Sequence, residues 1–356
     1  MLESSAKVSS PITSAAVEES LSPSSVIHVP VTISGTGAYV PEKVLPNAAL
    51  TEMVETSDEW IVTRTGIRER RIAADHETAG TMAVAAAREA IADAGLQATD
   101  IDLVIVGTIT PDQPFPSTAC HVQTTLGIRP VAAVDVEAAC SGFLYIAEIA
   151  AAMIRQGPYR HALIIGTEKL SSIMDWTDRG TCILFGDGAG AAVLSRSTAR
   201  EPVGLLETML GADGASGDIL HMPGGGSRCP ATTQSVADRQ HFLKMNGREV
   251  FKFAVRVMEK AILDLLARHH LRPDQIGCII PHQANIRIIE MLAARMAVPM
   301  DKFFINLDKY GNTSAASIPI ALHEAREQGW CKQGEYAILV AFGAGLTWGA
   351  TLIKWP

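Results

Sequence analysis

The chain has 356 residues, of which 47% are hydrophobic and 19% are charged, and its formal net charge is -8. This composition is typical of a globular protein with a large core, and the negative charge argues against general nucleic-acid binding. Because the apolar runs are shorter than a membrane span and the six cysteines have no zinc-ligand spacing, we expect a cytoplasmic protein with reduced thiols, no metal site and no membrane insertion.

A serine-rich segment opens the chain. Residues 1–30 hold nine serines, three prolines and no arginine, which fits neither a secretory signal nor a transit peptide, and we expect a disordered tail. Strands and helices then alternate. The apolar patterns predict strands at 29–37, 101–108 and 131–136 and a helix at 81–94, whereas 57–68 resembles a loop-rich segment.

The second part of the chain repeats this alternation. Its patterns predict a long amphipathic helix at 247–269 and strands at 203–210, 276–281, 336–342 and 347–353. We therefore expect two halves, 31–202 and 203–356, that are related by an internal duplication. Alternating strands and helices of this kind predict an α/β fold with buried, mixed sheets.

Cys140 lies where a predicted strand meets an amphipathic helix. The free N–H groups and the dipole at a helix N-terminus favour a thiolate over a thiol, so this position predicts a nucleophile. A buried cysteine that only packs at a strand–helix junction is the alternative, and Cys140 alone does not decide between the two.

Two polar residues far along the chain complete a pattern of thiol catalysis. His282 follows a predicted strand, and Asn312 precedes a helix within Tyr-Gly-Asn-Thr-Ser. Taken singly, His282 also fits a hydrogen-bonded core histidine, and Asn312 also fits a helix cap or a turn. Together, a neutral histidine and an asparagine offer two N–H donors that would stabilise a thioester enolate. With an acyl group on Cys140, such a site is equipped to join two thioesters through a carbon–carbon bond.

Seven short segments of the chain together carry a family resemblance. They are Thr-Ser-Asp-Glu-Trp-Ile-Val-Thr-Arg-Thr-Gly-Ile (56–67), Ala-Cys-Ser-Gly (139–142), Asp-Arg-Gly-Thr (178–181), Phe-Gly-Asp-Gly-Ala-Gly (185–190), Pro-His-Gln-Ala-Asn (281–285), Tyr-Gly-Asn-Thr-Ser (310–314) and Leu-Thr-Trp-Gly (346–349). With these segments, the chain from about residue 31 to its last residue resembles the 3-oxoacyl-[acyl-carrier-protein] synthase III family. This family contains the priming ketosynthases of type II fatty acid synthesis, within the thiolase-like superfamily.

The resemblance implies a thiolase-like fold of five layers, αβαβα, and a homodimer. It also implies that Cys140 accepts an acyl group from acyl-CoA, most simply acetyl-CoA. Malonyl-ACP would then lose CO2, assisted by His282 and Asn312, and its enolate would attack the Cys140 thioester to give 3-oxoacyl-ACP. Coenzyme A thioester is a substrate in this scheme, and we expect no cofactor.

The resemblance further assigns an oxyanion hole to the backbone N–H groups of Cys140 and Ala344. The family usually has three glycines where this chain has Gly343-Ala344-Gly345. A backbone donor survives this replacement unless residue 344 requires a positive φ.

Other positions match the binding residues of the family. Trp60 and Arg179 would sandwich the adenine of coenzyme A, although Trp60 also fits a half-buried anchor of its segment. The remaining expected coenzyme A contacts are Thr56, Arg64, Gly247, Asn285 and Phe342. Phe115 would reach across the dimer to cap the partner's acyl pocket. The candidates for docking an acidic acyl carrier protein are Arg248, Lys252, Arg287 and Arg295, which also fit an ordinary solvated helix face.

Three alternatives remain at this point. The first is a priming synthase for branched, longer-chain or secondary-metabolite starters, which the sequence does not separate from the acetyl-CoA hypothesis. The second is an acyltransferase or thioesterase that stops at acyl-Cys140, and the third is a non-catalytic binding protein. The presence of both His282 and Asn312 argues against the last two.

Overall fold

The computed structural model describes residues 29–199 and 201–356, so almost all of the predicted tail at 1–30 lies outside the described residues. The strands are β1 (Val31–Tyr39), β2 (Val44–Pro46), β3 (Glu69–Arg71), β4 (Leu103–Gly107), β5 (Ala132–Val136), β6 (His161–Glu168), β7 (Gly188–Arg196), β8 (Gly204–Ala212), β9 (Leu220–His221), β10 (Lys244–Met245), β11 (Ile276–Pro281), β12 (Tyr336–Gly343) and β13 (Thr347–Lys354).

The helices are α1 (Asn47–Leu50), α2 (Asp58–Thr65), α3 (Ala79–Asp93), α4 (Thr118–Thr125), α5 (Gly142–Gln156), α6 (Thr233–Ala237), α7 (Gly247–Arg268), α8 (Ile286–Met296), α9 (Leu307–Tyr310) and α10 (Ser317–Glu327). In the described ranges, none of these helices combines the length and the apolar character needed to cross a membrane.

Two mixed sheets form the framework of the fold. The first has the strand order β1-β7-β6-β4-β5, in which β6, β4 and β5 are parallel to one another and the other pairs are antiparallel. The second has the order β11-β12-β13-β8, in which β11 and β12 are parallel and the other pairs are antiparallel. The mixed sheets predicted from the sequence are thus confirmed.

Helices cover both faces of both sheets and complete five layers, αβαβα. Helix α3 packs on the outer face of the first sheet, α5 and α10 fill the space between the sheets, and α7 and α8 lie on the far side of the second sheet. Every residue of β4 is buried, because helices exclude water from both faces of its sheet. The thiolase-like layering implied by the resemblance is confirmed.

The two halves of the chain share one order of elements and one order of strands. The first sheet runs β1-β7-β6-β4, and the second runs β8-β13-β12-β11 in corresponding places. In the second sheet, the place that corresponds to β5 holds only a single parallel bridge, between Phe303 and Ile279 of β11. The turn that carries Cys140 precedes α5, and the turn that carries Asn312 precedes α10, so equivalent places in the two halves supply the site.

The segment 57–68 contains a helix, so the prediction of a loop-rich segment there was wrong. Ser57 caps α2 by accepting a hydrogen bond from the backbone N–H of Trp60 at 3.1 Å, and Gly66, with a φ of 80°, ends the helix. Two acidic residues in the first turn favour the same start. The helix places Trp60 and Arg64 four residues apart, on one face.

Candidate active site

One cavity brings together the three residues predicted to be catalytic. Cys140, His282 and Asn312 line it from the turn before α5, the end of β11 and the turn before α10, and all three are buried. The predicted oxyanion residue Ala344 lines the same cavity. So do three of the predicted coenzyme A contacts, Gly247, Asn285 and Phe342.

The backbone around the nucleophile is strained and tightly packed. Ala139, in the 3-10 turn Ala139–Ser141, has a φ of 45°, a left-handed conformation that costs a non-glycine residue about 1–3 kcal/mol. Gly343, at the end of β12, approaches this turn so closely that a Cβ there would lie 2.7 Å from the backbone N of Cys140. Glycine at 343 therefore lets the strand end meet the backbone N–H assigned to the oxyanion hole.

The pKa of the Cys140 thiol is higher than its place before a helix indicated. Burial, as the main cause, raises the pKa of Cys140 to about 12, while a hydrogen bond from Ser314 lowers it. That change from an ordinary thiol corresponds to about 4 kcal/mol, whereas a helix N-terminus contributes at most about 2 kcal/mol. Burial thus favours the thiol, opposite to the effect of a helix N-terminus, and a thiol at Cys140 must lose its proton during the reaction.

His282 is held as a neutral ring. Its Nδ1 lies 2.6 Å from the hydroxyl of Ser317, and its ring packs edge-on to Phe342 with centroids 5.8 Å apart. Burial lowers the pKa of His282 to about 3. Among the described residues, Nε2 has no hydrogen-bond partner. In the neutral tautomer whose Nδ1 accepts from the Ser317 hydroxyl, the proton is on Nε2 and is free to be donated into the cavity.

The amide of Asn312 is oriented by the backbone that follows it. Its Oδ1 accepts a hydrogen bond from the backbone N–H of Ser314 at 2.8 Å. Its own backbone is pinned by a hydrogen bond from its N–H to the Leu184 carbonyl, also 2.8 Å. Because the oxygen of the amide is engaged, the NH2 group is the free end. Asn312 can thus supply the second donor expected in the cavity.

The replacement of the usual glycine by Ala344 introduces no backbone strain. In this turn the positive φ falls on Gly345, at 131°, and Ala344 is not among the described non-glycine residues with positive φ. The hydroxyl of Thr347 lies 3.0 Å from the carbonyl oxygens of both Ala138 and Ala344. Sequence reasoning missed Thr347, which ties the oxyanion turn to the nucleophile turn.

The predicted adenine contacts form one cluster on α2 and the facing loop. The guanidinium carbons of Arg64 and Arg179 lie 4.4 and 5.2 Å from the ring centroid of Trp60. The Thr56 hydroxyl beside them is buried and has no hydrogen-bond partner among the described residues. Helix α2 packs against α8, whose cap, Asn285, lines the cavity. The cluster thus stands next to the cavity, and Arg64 stacks on Trp60 more closely than we expected.

The four predicted docking residues differ in whether they form an ion pair. Lys252 pairs with Glu249 at 2.9 Å, and Arg295 pairs with Glu259 at 2.6 Å. Within the described residues, the exposed Arg248 and Arg287 form no ion pair. Both stand in the first turns of α7 and α8, beside the cavity residues Gly247 and Asn285.

Three polar residues near the cavity were missed by the sequence reasoning. Ser314 contacts Asn312, and Ser317 contacts His282. The fully buried Glu168 accepts a hydrogen bond from the Ser314 hydroxyl at 3.1 Å. The signal for Glu168 was available, because it is an acid at the end of an otherwise apolar strand pattern.

Comparisons with known proteins identify the family of the chain. Two models of the 3-oxoacyl-[acyl-carrier-protein] synthase III family match the chain, the family model at residues 134–214 and its C-terminal model at 266–355. A β-ketoacyl-[acyl-carrier-protein] synthase III of Caldanaerobacter subterraneus is 53% identical over 323 residues, which is 91% of this chain and 97% of the relative. One of Aquifex aeolicus is 48% identical over 91% of this chain and 99% of that protein.

Solved structures give the same result. The crystal structure of the Aquifex aeolicus 3-oxoacyl-[acyl-carrier-protein] synthase III superposes with a TM-score of 0.84 and 47% identity, over 91% of this chain and 100% of that chain. A priming β-ketosynthase of a polyketide biosynthetic pathway superposes with a TM-score of 0.85 and 35% identity, over 92% and 97% of the two chains. The chain therefore belongs to the 3-oxoacyl-[acyl-carrier-protein] synthase III family and is an acyltransferase that condenses thioesters.

Proposed function

We propose that this condensing enzyme starts fatty acid synthesis by joining acetyl-CoA to malonyl-ACP, with Cys140, His282 and Asn312 acting in separate steps. The observation that carries the proposal is the convergence of an imidazole, a side-chain amide and a thiol on a single cavity. A transfer reaction alone would need the thiol but no enolate-binding pair.

In the first step, Cys140 takes the acyl group from acyl-CoA and releases CoA. Trp60 and Arg179 would hold the adenine by stacking, after Arg64 moves off the ring. The backbone N–H groups of Cys140 and Ala344 would stabilise the oxyanion of the tetrahedral intermediate. No cofactor is required, because the thioester itself supplies the activated acyl group.

In the second step, malonyl-ACP loses CO2, and its enolate attacks the Cys140 thioester. The developing negative charge on the thioester oxygen would lie between Nε2 of His282 and the NH2 group of Asn312. Removing one such donor typically lowers a rate by about 10²–10³-fold. The product is 3-oxoacyl-ACP, and Cys140 becomes free for another cycle.

A panel of starters tests this proposal. The purified protein is incubated with malonyl-ACP and acetyl-, isobutyryl- or octanoyl-CoA, and the mass of the ACP product is measured. We expect the 3-oxobutanoyl product to form fastest, and a preference for a branched or longer starter would favour the alternative. Absence of product with every starter would contradict the condensing function.

The assigned roles predict different defects in variants of the site. Cys140→Ser abolishes the acyl-enzyme, whereas His282→Ala and Asn312→Ala retain it and lose condensation by about 10² to 10³-fold. Mass spectrometry of the protein measures the acyl-enzyme, and the ACP product measures condensation. Equal loss of both steps in either donor variant would contradict the separation of roles.

We also propose a cytoplasmic homodimer in which Phe115 caps the acyl pocket of the partner subunit. Phe115 is 84% exposed, and β5 is an edge strand whose Val134 is 45% exposed, which supports burial of this face by a second copy. Free cysteines throughout the chain support the cytoplasmic location.

An acyl carrier protein, as the acidic partner, would dock beside the cavity mouth. Arg248 and Arg287 are the basic residues best placed to meet it, because they flank cavity residues and are not neutralised by ion pairs within the described part of the chain. Lys252 and Arg295 contribute less, since each already pairs with a glutamate.

A further inference from the structure

A fully buried carboxyl group lies behind the nucleophile. Glu168, the last residue of β6, accepts hydrogen bonds from the hydroxyl groups of Thr108 at 3.1 Å and Thr110 at 2.6 Å, and from the backbone N–H of Ile109 at 3.1 Å. No basic side chain of the described residues pairs with it. Burial is the main cause that raises the pKa of Glu168 to about 7. The mechanism described above gives this group no role.

Ser314 connects Glu168 to the thiol. Its hydroxyl donates to Oε1 of Glu168 at 3.1 Å, and Ser314 lines the same cavity as Cys140. Packing fixes this position independently, because Gly166, two residues before Glu168 on the same face of β6, would overlap the backbone of Ala315 if it carried a side chain. Ser314 therefore stands between Cys140 and Glu168, where its hydroxyl group can relay a proton from one to the other.

Because a hydroxyl group has a single proton, Ser314 can donate to only one of its two neighbours at a time. When Cys140 is a thiol and Glu168 is ionised, the thiol donates to Ser314, which donates to the carboxylate. When Cys140 is a thiolate, Ser314 donates to the sulfur, and a protonated Glu168 donates to Ser314. The two states differ only by the net movement of one proton between Cys140 and Glu168.

Other titratable groups near the site are poor acceptors for this proton. Burial lowers the pKa of His282 to about 3, and its proposed role requires a proton on Nε2 before the enolate arrives. The amino group of Lys169, next to Glu168 in sequence, points away and donates to the carbonyl oxygens of Ala74 and Glu77. The segments 108–110 and 313–316, which pack around Glu168, contribute no other titratable side chain.

We propose that Glu168 accepts the proton of Cys140 through the Ser314 hydroxyl during acylation and returns it during condensation, an inference that rests on the proposed role of Cys140. As Sγ attacks the acyl-CoA carbonyl carbon, the C–S bond forms and the carbonyl π pair moves to oxygen. The Sγ proton passes to Ser314, whose own proton passes to Oε1 of Glu168. The tetrahedral intermediate then expels CoA as a thiolate, which takes a proton from solvent.

The stored proton is used in the second stage. When the enolate carbon attacks the acyl-enzyme, Sγ of Cys140 leaves with the C–S electron pair. It recovers a proton from Ser314, and Ser314 is reprotonated by Glu168. The acyl-enzyme therefore contains a neutral Glu168, and the free enzyme regains a thiol and a carboxylate after each cycle.

Rates of acylation test the proton path. Single-turnover release of CoA from acetyl-CoA is measured for wild type, Glu168→Gln, Ser314→Ala and the double variant. We expect each single variant to be slower by about 10²-fold or more, and the double variant to be no slower than the slower single variant, since both interrupt one path. Asp187→Asn, which changes another fully buried carboxylate, serves as the matched control with near wild-type acylation.

Two further readouts separate proton transfer from a structural role. Infrared difference spectra recorded during the single turnover, acyl-enzyme minus free enzyme, should show a transient protonated-carboxyl band that Glu168→Gln lacks. Alkylation of Cys140 by iodoacetamide needs loss of the same proton, so both single variants should slow it as well. Wild-type rates in either variant, additive losses in the double variant, or no carboxyl band would overturn the proposal. Absence of CoA release from wild type would contradict the proposed function instead, and the alkylation rates would still test the path.

Discussion

Burial sets the protonation of the side chains at the site. It keeps Cys140 as a thiol and His282 as a neutral ring, and it raises the pKa of Glu168 to about 7. Each effect disfavours the charged form, because a low-dielectric surrounding stabilises charge poorly. The site therefore rests with few charges, and the negative charges of the reaction are met by N–H donors that are already in place.

Ser317 should act as a positioning residue for His282. Ser317→Ala removes the hydroxyl that lies 2.6 Å from Nδ1, so the ring loses the contact that keeps its proton on Nε2. We expect condensation to fall by about 10- to 100-fold while acylation stays near wild type. Product mass and acyl-enzyme mass measure the two steps. Ser172→Ala, an exposed serine, is the control, and an equal fall in both steps would exclude the positioning role.

The lowered pKa of His282 predicts a loss of stability in acid. The folded protein holds this ring neutral down to about pH 3, whereas the unfolded chain protonates it near pH 6.5. Its contribution is complete above pH 6.5 and is lost as pH falls towards 3. Between pH 7.5 and 5, the free energy of unfolding should fall by about 2 kcal/mol more in wild type than in His282→Asn. The free energy of unfolding is measured by urea titration at each pH. An equal change with pH in both proteins would contradict this prediction.

The turns before α5 and α10 are the elements that build the site. The two turns occupy equivalent places in the two halves, and each holds one non-glycine residue with positive φ, Ala139 at 45° and Ser314 at 49°. Such strain persists only where surrounding packing enforces it, here through Gly343 and Gly166. The two halves thus place the thiol and the amide at equivalent positions on opposite sides of one cavity.

The first turns of α7 and α8 should carry the docking of the carrier protein. Arg287→Ala and Arg248→Ala are expected to raise the KM for malonyl-ACP several-fold at low salt, with acylation by acetyl-CoA unchanged. The effect should shrink as ionic strength rises, because exposed charges are screened. Arg268→Ala, at the far end of α7, is the matched control. An effect of equal size in the control, or one independent of salt, would count against this surface.

At the scale of the whole molecule, the first sheet ends in an open edge. Strand β5 pairs with β4 on one side, and its free side exposes Val134 near a surface that also exposes Phe115. An exposed apolar edge of this kind pairs readily with another strand. A second copy of the chain would cover this edge.

Disruption of this edge tests the dimer. Val134→Glu should convert a particle of twice 37.9 kDa into one of 37.9 kDa in light scattering, because it places a charge in the proposed interface. Leu263→Glu, at an exposed apolar position on α7, should leave the mass unchanged. A wild-type protein that is monomeric at micromolar concentration would refute the dimer directly.

The sequence by itself determined the α/β class and the alternation of elements, and it singled out Cys140, His282 and Asn312 as candidates, because periodicity and short motifs are local properties of the chain. The tertiary structure alone decided the protonation of Cys140, since burial outweighs the helix terminus that the local pattern indicated. It alone also placed Glu168 beside Ser314, 146 residues away in sequence. Burial and long-range contacts arise from the packing of layers, which no local pattern records.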